Sequence, residues 1–521
     1  MREEILGRII GMEPLAIRLH ENDNVVTAKS NLSINSNIIE ENLSTKQRIP
    51  MGHKIATRNI KQGEKIVKYN NVIGVAKKLI KIGDHVHVHN TGMAERNADY
   101  EFSQGCKQIE VLPESQRATF EGFRRSNGKV GTRNFIGVIS SVNCSATVCK
   151  KIAEFIDDNE LVDFDNVDGI VAITHGTGCG MTNKGLGWEL LQATIAGYAQ
   201  HPNFGGLLVI GLGCETNQVH EMANSLKWQN SRTFQMLTIQ GIGGTRKTIN
   251  EGVRLIREML PVVNKQSRST CPASDIILGL ECGGSDAYSG MTANPALGAA
   301  VDLLVKNGGT GTLAETPEIF GAEHLLTRRA INEKVGKKLV SFIKWWTEDY
   351  LTKFEENKNE LHQDPSPGNK AGGLTTILEK SLGAVAKGGT TNLVDVYQYA
   401  ENIEAKGFTF MNTPGYDVTS ITGLIAGGAN MICFTTGRGS VFGCKPAPSI
   451  KLASNDQMFN HMIEDMDINC GKILLGESTI DSMGQEIFDT ILKIASGSKS
   501  KSELNGLGDL EFVPWHMSAV T

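Results

Sequence analysis

Four short apolar runs in this 521-residue chain each end in a glycine-rich turn that carries a cysteine. Ile136–Val142 runs into Asn143-Cys144-Ser145, and Gly169–Thr174 into His175-Gly176-Thr177-Gly178-Cys179-Gly180. Leu207–Leu212 runs into Gly213-Cys214-Glu215, and Ile276–Glu281 into Cys282-Gly283-Gly284-Ser285-Asp286. Apolar β-branched runs without polar alternation belong to parallel strands covered by helices on both faces. Helix-like spacing in Ala146–Ile156 and Glu189–Tyr198 follows the first two runs directly. In open sheets of this kind a ligand sits beyond the carboxyl ends of the strands. The thiols, His175, Glu215 and Asp286 are therefore expected on one edge of one sheet, with the active site there.

So long a chain exceeds one core and should divide into roughly two to four domains. Residues 12–98 show no long helical period and read as a small β-rich unit. Its strands are Ala16–Leu19, Val25–Ala28, Lys65–Lys68, Ile73–Ala76 and Asp84–His89. Residues 99–125, mixed and polar, read as a linker. Two αβ blocks follow, 126–264 and 271–521, separated by the polar stretch Lys265–Pro272. The second contains strands at Gly311–Glu315, Phe408–Asn412 and Met431–Thr435, a helical stretch around Ala330–Phe354 and a loop at Gln363–Gly373.

A net charge of −5 implies no basic surface for nucleic acid. No run of about 18 apolar residues exists, so no membrane span is expected. Met1-Arg2-Glu3-Glu4 lacks the basic-then-apolar pattern of a secretory signal. Ten cysteines with none in a CxxC pair do not look like a disulfide framework. A reducing cytoplasm is the simplest setting, and a homodimer the ordinary expectation for such an enzyme.

Several segments carry chemistry. His85-Val86-His87-Val88-His89 would put three imidazoles on one face of a strand, as metal or substrate contacts, with His53 a weaker candidate. The strand-end cysteines, Cys144 and Cys179 among them, either line packed turns or, as thiolates at helix N-termini, bind iron or act as nucleophiles. Asp286, Glu215, Glu315 and Glu318 follow strands, where bases and metal ligands are found and where carboxylates also complement helix dipoles. The Pro365–Gly373 loop is too rich in turn formers to be a helix. It suits an acid or polyol, with Lys370 as cation and Asn369 as hydroxyl partner. In Thr435-Thr436-Gly437-Arg438-Gly439-Ser440 the arginine could clamp a carboxylate. Gly241–Thr248 has Arg246 where a phosphate loop needs glycine, and Gly211–Glu215 lacks the third glycine of a dinucleotide fingerprint. Nucleotide binding is not supported.

Taken together, these segments resemble the altronate/galactarate dehydratases along nearly the whole chain. The resemblance is carried by Gly131-Thr132-Arg133-Asn134, Asn143–Thr147, His175–Gly180, Gly211–Glu215, Cys282–Asp286, Thr292-Ala293-Asn294-Pro295, Pro365–Gly373 and Thr436–Gly439. The unit containing Gly52-His53-Lys54 is similar to that family's SAF domain. The blocks 126–264 and 271–521 are similar to its second and C-terminal domains, with mainly parallel, Rossmann-like sheets. The resemblance implies dehydration of a sugar acid to a 2-keto-3-deoxy acid with a divalent metal, Fe²⁺ first and Mn²⁺ next. His85–Asn90, the His-Gly-Thr-Gly-Cys turn and Phe512–Trp515 look like the altronate side, whereas Thr270–Ser274 looks like the galactarate side. On this reading His53, His85, His87 and His89, with Cys144 and Cys179, are metal candidates. His175, Asp286 and Glu315 are candidate acids and bases, and Asn143, Asn369, Lys370 and Arg438 candidate substrate contacts. An iron–sulfur dehydratase and a non-catalytic sugar-acid binding protein are the alternatives.

Overall fold

The computed structural model describes residues 14–95, 100–156, 158–225, 231–350 and 365–517. The four apolar runs all form parallel strands, divided between two sheets rather than sharing one. In the first αβ unit β1 (Phe135–Ser140), β2 (Gly169–Ile173), β3 (Phe204–Gly211) and β4 (Phe234–Thr238) lie in the order β2-β1-β3-β4. In the second, β5 (Ile277–Cys282), β6 (Thr310–Leu313), β7 (Leu393–Tyr397), β8 (Gly407–Met411), β9 (Met431–Thr436), β10 (Ser449–Ala453) and β11 (Ile468–Asn469) lie in the order β7-β8-β6-β5-β9-β10-β11. The expectation of one shared strand edge is corrected accordingly. Apolar runs establish that a strand is buried on both faces and say nothing of which sheet it joins.

Helices cover both sheets because their apolar stripes need burial. They include α1 (Asn143–Glu154), α2 (Leu186–Ala199), α3 (Thr245–Val263), α4 (Ala293–Lys306), α5 (Glu333–Lys344), α6 (Pro367–Ala371), α7 (Ile377–Ala384), α8 (Asp417–Ala426) and α9 (Ile480–Ala495). One core packs α4 and α9 on the seven-stranded sheet. Another, containing Leu190, Ile195, Ile421 and Leu424, is shared by both αβ units. There α2 meets α8 at backbone distance, and a Cβ on Gly197 would lie 2.1 Å from the Ala426 carbonyl oxygen. Arg133 adds a polar tie between the units. Buried, it donates to both carboxylate oxygens of Glu503, at 2.7 and 2.9 Å, and to the carbonyls of Thr132, Ile494 and Ser498.

Other sequence expectations need adjustment. Thr119–Arg124, within the stretch whose polarity suggests a linker, is a strand paired antiparallel with Ser269–Pro272, part of the polar stretch expected to separate the two αβ blocks. Phe120, Gly122 and Phe123 point inward on it, among charged neighbours that masked the pattern. The loop at 365–373 contains α6, a short helix started by Pro367 and a reciprocal Ser366–Asn369 capping box. The helical stretch near Ala330 is α5 followed by a wider π-type turn, Trp345–Tyr350, and residues 351–354 lie outside the described residues.

The N-terminal unit is β-rich, built of short antiparallel pairs around Ile55, Ile66 and Ile73. It docks on α7 through charge. Lys54 and Lys68, both buried, reach the carboxylate oxygens of Glu379 at 2.8 and 3.0 Å. Tyr288 Oη donates to the Ala28 carbonyl at 2.5 Å, and Lys54 Nζ to that of Gly373 at 2.7 Å.

Candidate active site

Chain order in the seven-stranded sheet reverses between β5 and β9, which opens a crevice beyond their carboxyl ends. The loops leaving these strands are stitched together. Gly437 N–H and Arg438 N–H donate to the Gly284 carbonyl at 3.1 and 2.8 Å. Asp286, buried at the bottom, accepts at Oδ1 from the Ser289 and Ser454 hydroxyls and from the backbone of Tyr288 and Ser289. Its Oδ2 accepts from Asn455 at 3.0 Å. Burial raises its pKa, although these donors pull the other way. Above it lies a cavity of about 360 Å³ lined by Met51, Asp286, Tyr288, Gly372, Arg438 and Asn455. Glycine is required on two walls. A Cβ on Gly437 would stand 2.2 Å from Asp286 Cγ, and one on Gly372 2.9 Å from Asp286 Cβ.

The histidines arrive from the N-terminal unit. Only His85–Val86 is strand, and a turn begins at His87, so the alternation does not extend over five extended residues as expected. The rings nevertheless cluster, with centroids 4.6 Å apart for His53–His87, 5.0 Å for His53–His85 and 5.4 Å for His85–His87. His89 lies beside them, its ring tilted and 5.3 Å from that of His85. His53 Nε2 donates to the Ala371 carbonyl at 3.1 Å and His87 Nε2 to that of Lys370 at 2.9 Å. Those bonds fix the tautomers and leave lone pairs on both Nδ1 atoms. His53 Nδ1 and His85 Nε2 are 2.9 Å apart. Burial first, then neighbouring positive groups, takes His85 down to about 3 and His87 down to about 4, so the imidazoles are neutral near pH 7.

A buried carboxyl cluster lies where β5 and β6 end and α8 begins. Cys282, Glu315 and Glu318 form one group of ligand atoms within 4.8 Å of one another, and Glu281, Glu315 and Asp417 another. Lys387 pairs with Glu315 at 3.0 Å, and Lys380 pairs with Glu318. Burial, then the neighbouring carboxylates, raises Glu281 and lifts Asp417 to about 7. Burial also opposes ionisation of Glu315, but Lys387, the Glu281 hydrogen bond and Lys380 together outweigh it and hold its pKa below the usual value. Glu315 sits in the left-handed region, φ 65°, where the chain leaves β6. Glu281, Asp417, Lys380 and Lys387 were not singled out from sequence. Glu281 had a signal, a charge closing an apolar strand, whereas the lysines had none.

The remaining candidates lie elsewhere. Asn369 is buried with its amide committed, donating to the Ser285 carbonyl at 2.8 Å and accepting from Ser366, so it positions the Lys370 loop. His175 and Asn143 belong to the first αβ unit and line a separate cavity of about 380 Å³ with Lys150, Phe512 and His516. His175 Nε2 donates to the Ser140 carbonyl, Nδ1 accepts from Thr177 N–H, and burial takes its pKa down to about 4. Both ring nitrogens are thus occupied. Glu215 accepts from the Ser141 hydroxyl and from Leu212 and Gly213 N–H, holding its own turn. Cys144, Cys179 and Cys214 lie in the segments that follow strands of that sheet, and Cys282 is buried at the end of β5 in the other.

A crevice that sets a buried carboxyl group and a guanidinium on one small cavity, with neutral imidazoles bonded to the loop that forms one of its walls, suits an enzyme, and relatedness says of which kind. Residues 273–520 match the family model "D-galactarate/Altronate dehydratase, C-terminal". Residues 122–264 match "D-galactarate dehydratase/Altronate hydrolase, second domain", and residues 14–94 match "Altronate/galactarate dehydratase SAF domain". The chain is 35% identical over 499 residues to altronate dehydratase of Bacillus subtilis (strain 168), covering 95% of this chain and 97% of that one. It is 36% identical over 490 residues to galactarate dehydratase (L-threo-forming) of Escherichia coli (strain K12), covering 93% of each. To (2R)-sulfolactate sulfo-lyase subunit beta of Chromohalobacter salexigens it is 30% identical over 398 residues, 76% of this chain and 96% of that one. The chain belongs to the galactarate/altronate dehydratase family, whose members are hydro-lyases.

Proposed function

We propose that this enzyme dehydrates D-altronate to 2-keto-3-deoxy-D-gluconate in the crevice between β5 and β9. The observation that carries the reading is Asp286, buried between two obligatory glycines and facing the same cavity as Arg438. Loss of water β to a carboxylate requires removal of the weakly acidic C2 proton and protonation of the departing C3 hydroxyl. Arg438 would grip the substrate carboxylate through its fork of donors, orienting C2 toward Asp286. Asp286 Oδ2, with a single side-chain donor, would take the proton, and burial makes it a stronger base than an exposed carboxylate. Lys370, on the loop under the histidines, would contact the substrate's hydroxyl end. Choice of altronate rests on the altronate-like segments His85–Asn90, His175–Cys179 and Phe512–Trp515.

The family resemblance implies a divalent metal, and the histidine cluster fits one. His53 and His87 each donate their far N–H to a backbone carbonyl, the arrangement that orients metal-bound imidazoles. A separation of 2.9 Å between His53 Nδ1 and His85 Nε2 matches two adjacent ligands on an ion with metal–nitrogen bonds of about 2.1 Å. Imidazole nitrogen suits Fe²⁺ or Mn²⁺. Such an ion would supply Lewis acidity to a carboxylate whose neighbouring carbon is losing a proton. The same reading includes a homodimer in a reducing cytoplasm, the dimer being checked by light scattering.

The test is anaerobic incubation with Fe²⁺ and a panel of sugar acids, measuring 2-keto-3-deoxy product. Product from D-altronate in preference to galactarate is expected. Product from galactarate alone would replace the substrate, and no product from any acid would overturn the reading.

A further inference from the structure

We propose that Cys144, Cys179 and Cys214 bind a [4Fe–4S] cluster through three thiolates, at a site in the first αβ unit separate from the crevice. This inference stands independently of the substrate reading.

The three residues follow three adjacent parallel strands, which lie in the order β2-β1-β3. Ser140 of β1 pairs with Ile210 of β3, so Cys144 and Cys214 each lie four residues beyond one paired row. Cys179 follows on the other side, in the turn after β2, whose Ile173 pairs with Ile139. The turns are locked to one another. Asn143 N–H donates to the Thr177 carbonyl and Asn217 N–H to the Gly178 carbonyl, both at 2.9 Å, and Asn217 Nδ2 donates to the Ser141 carbonyl at 2.7 Å. Gly178 adopts φ 101°, and a Cβ there would stand 2.4 Å from the Ser141 carbonyl oxygen. The second turn therefore lies directly on the first, and the three cysteines are presented by one rigid rim.

Exposure separates these thiols, together with Cys106 in the segment before the first αβ unit, from the rest. Cys149, Cys271, Cys282, Cys433, Cys444 and Cys470 are buried, as free cysteines usually are, whereas Cys144, Cys179 and Cys214 are exposed. Cysteines that ionise and react sit in partly exposed surroundings, whereas buried ones are inert. Cys144 also occupies the first turn of the 12-residue α1, where the helix dipole favours negative charge. A single ion needs its sulfurs close together, about 2.3 Å from the metal in a zinc site. Among the described residues, the groups of three ligand atoms within 4.8 Å are the two around Glu315, one of which includes Cys282, and Cys144, Cys179 and Cys214 form no such group. A cluster distributes its irons over a cube and takes thiolates that stand wider apart. Three cysteines leave its fourth iron without a thiolate, open to an oxygen ligand.

Assembly balances without net redox change. Two ferrous ions, two ferric ions and four sulfides form the 2+ core, and each cysteine thiol gives its proton to solvent as its iron–sulfur bond forms. The full-length protein, purified anaerobically, would be incubated with equal ferrous and ferric iron plus sulfide, then desalted. The expected result is about four irons and about four acid-labile sulfides per chain, with a broad visible absorption. Cys144→Ser, Cys179→Ser and Cys214→Ser should each lower both counts severalfold with an unchanged far-UV spectrum, while Cys106→Ser, an exposed control, retains them. Alkylation of the wild-type protein, read by mass spectrometry, needs no variant: loading should protect Cys144, Cys179 and Cys214 and leave Cys106 reactive. Iron uptake without sulfide, full loading of the triple serine variant, or undiminished alkylation after incubation would each overturn the proposal. Because these readouts count iron, sulfide and thiols, they are unaffected if D-altronate proves to be the wrong substrate.

Discussion

At the crevice, a methyl group is enough to displace the carboxyl group on which the proposed chemistry depends. A Cβ on Gly437 would overlap Asp286, and the Asp286 side chain is held by five donors that give it nowhere to retreat. Gly437→Ala should cost about 1–3 kcal/mol of stability, read in urea melts, and remove most activity. Asp286→Asn keeps the shape and removes the base. It should lower kcat by about 10²–10⁴ with little change in KM, measured by steady-state kinetics on the acid that proves to be the substrate.

Among the elements, α7 is the one whose charge matters most, because Glu379 receives two buried ammonium groups from the N-terminal unit. Burial opposes its ionisation, and Lys54 and Lys68 outweigh burial and hold its pKa at about 2, against the ordinary glutamate value of 4.5. A carboxyl group depressed on folding stabilises the protein fully above its unfolded pKa and loses that contribution as pH falls through the folded one. Glu379→Gln should therefore cost about 3–5 kcal/mol at neutral pH. The difference from wild type should shrink between about pH 4.5 and pH 2, as urea midpoints across that range would show. Nothing in the sequence paired these residues, which are more than three hundred positions apart. Elements with a local cause were legible: the apolar runs became β1, β2, β3 and β5, and Val25–Ala28 and Lys65–Lys68 were read with their observed limits. Where competing local signals met, the reading slipped. Pro367 and Ser366 looked like loop formers and instead start α6, and the His85–His89 alternation is mostly turn. At the site, Asp286 and Arg438 were legible because each follows a strand in a glycine turn. The division of the cysteines between two sheets was not, since sheet order depends on packing between distant segments.

Across the whole molecule, the two αβ units behave as one body because α2 touches α8 and Arg133 reaches into the C-terminal region. Lysine at 133 cannot reproduce a planar fork that satisfies Glu503 and three carbonyls together. Arg133→Lys should lower stability by on the order of 3 kcal/mol and split the chemical denaturation curve into two transitions. Differential protection from proteolysis would check the separation.

The N-terminal unit, by contrast, brings its histidines to the crevice through side-chain contacts with α7 and the loop before it. The peptide connection between the two then acts chiefly as a tether, setting the local concentration of one half around the other. Severing the chain within residues 96–118 should leave two polypeptides that still recombine. Turnover would then depend on their concentration, rising toward that of the intact chain as one fragment is titrated into the other, whereas in the unbroken protein specific activity is independent of dilution.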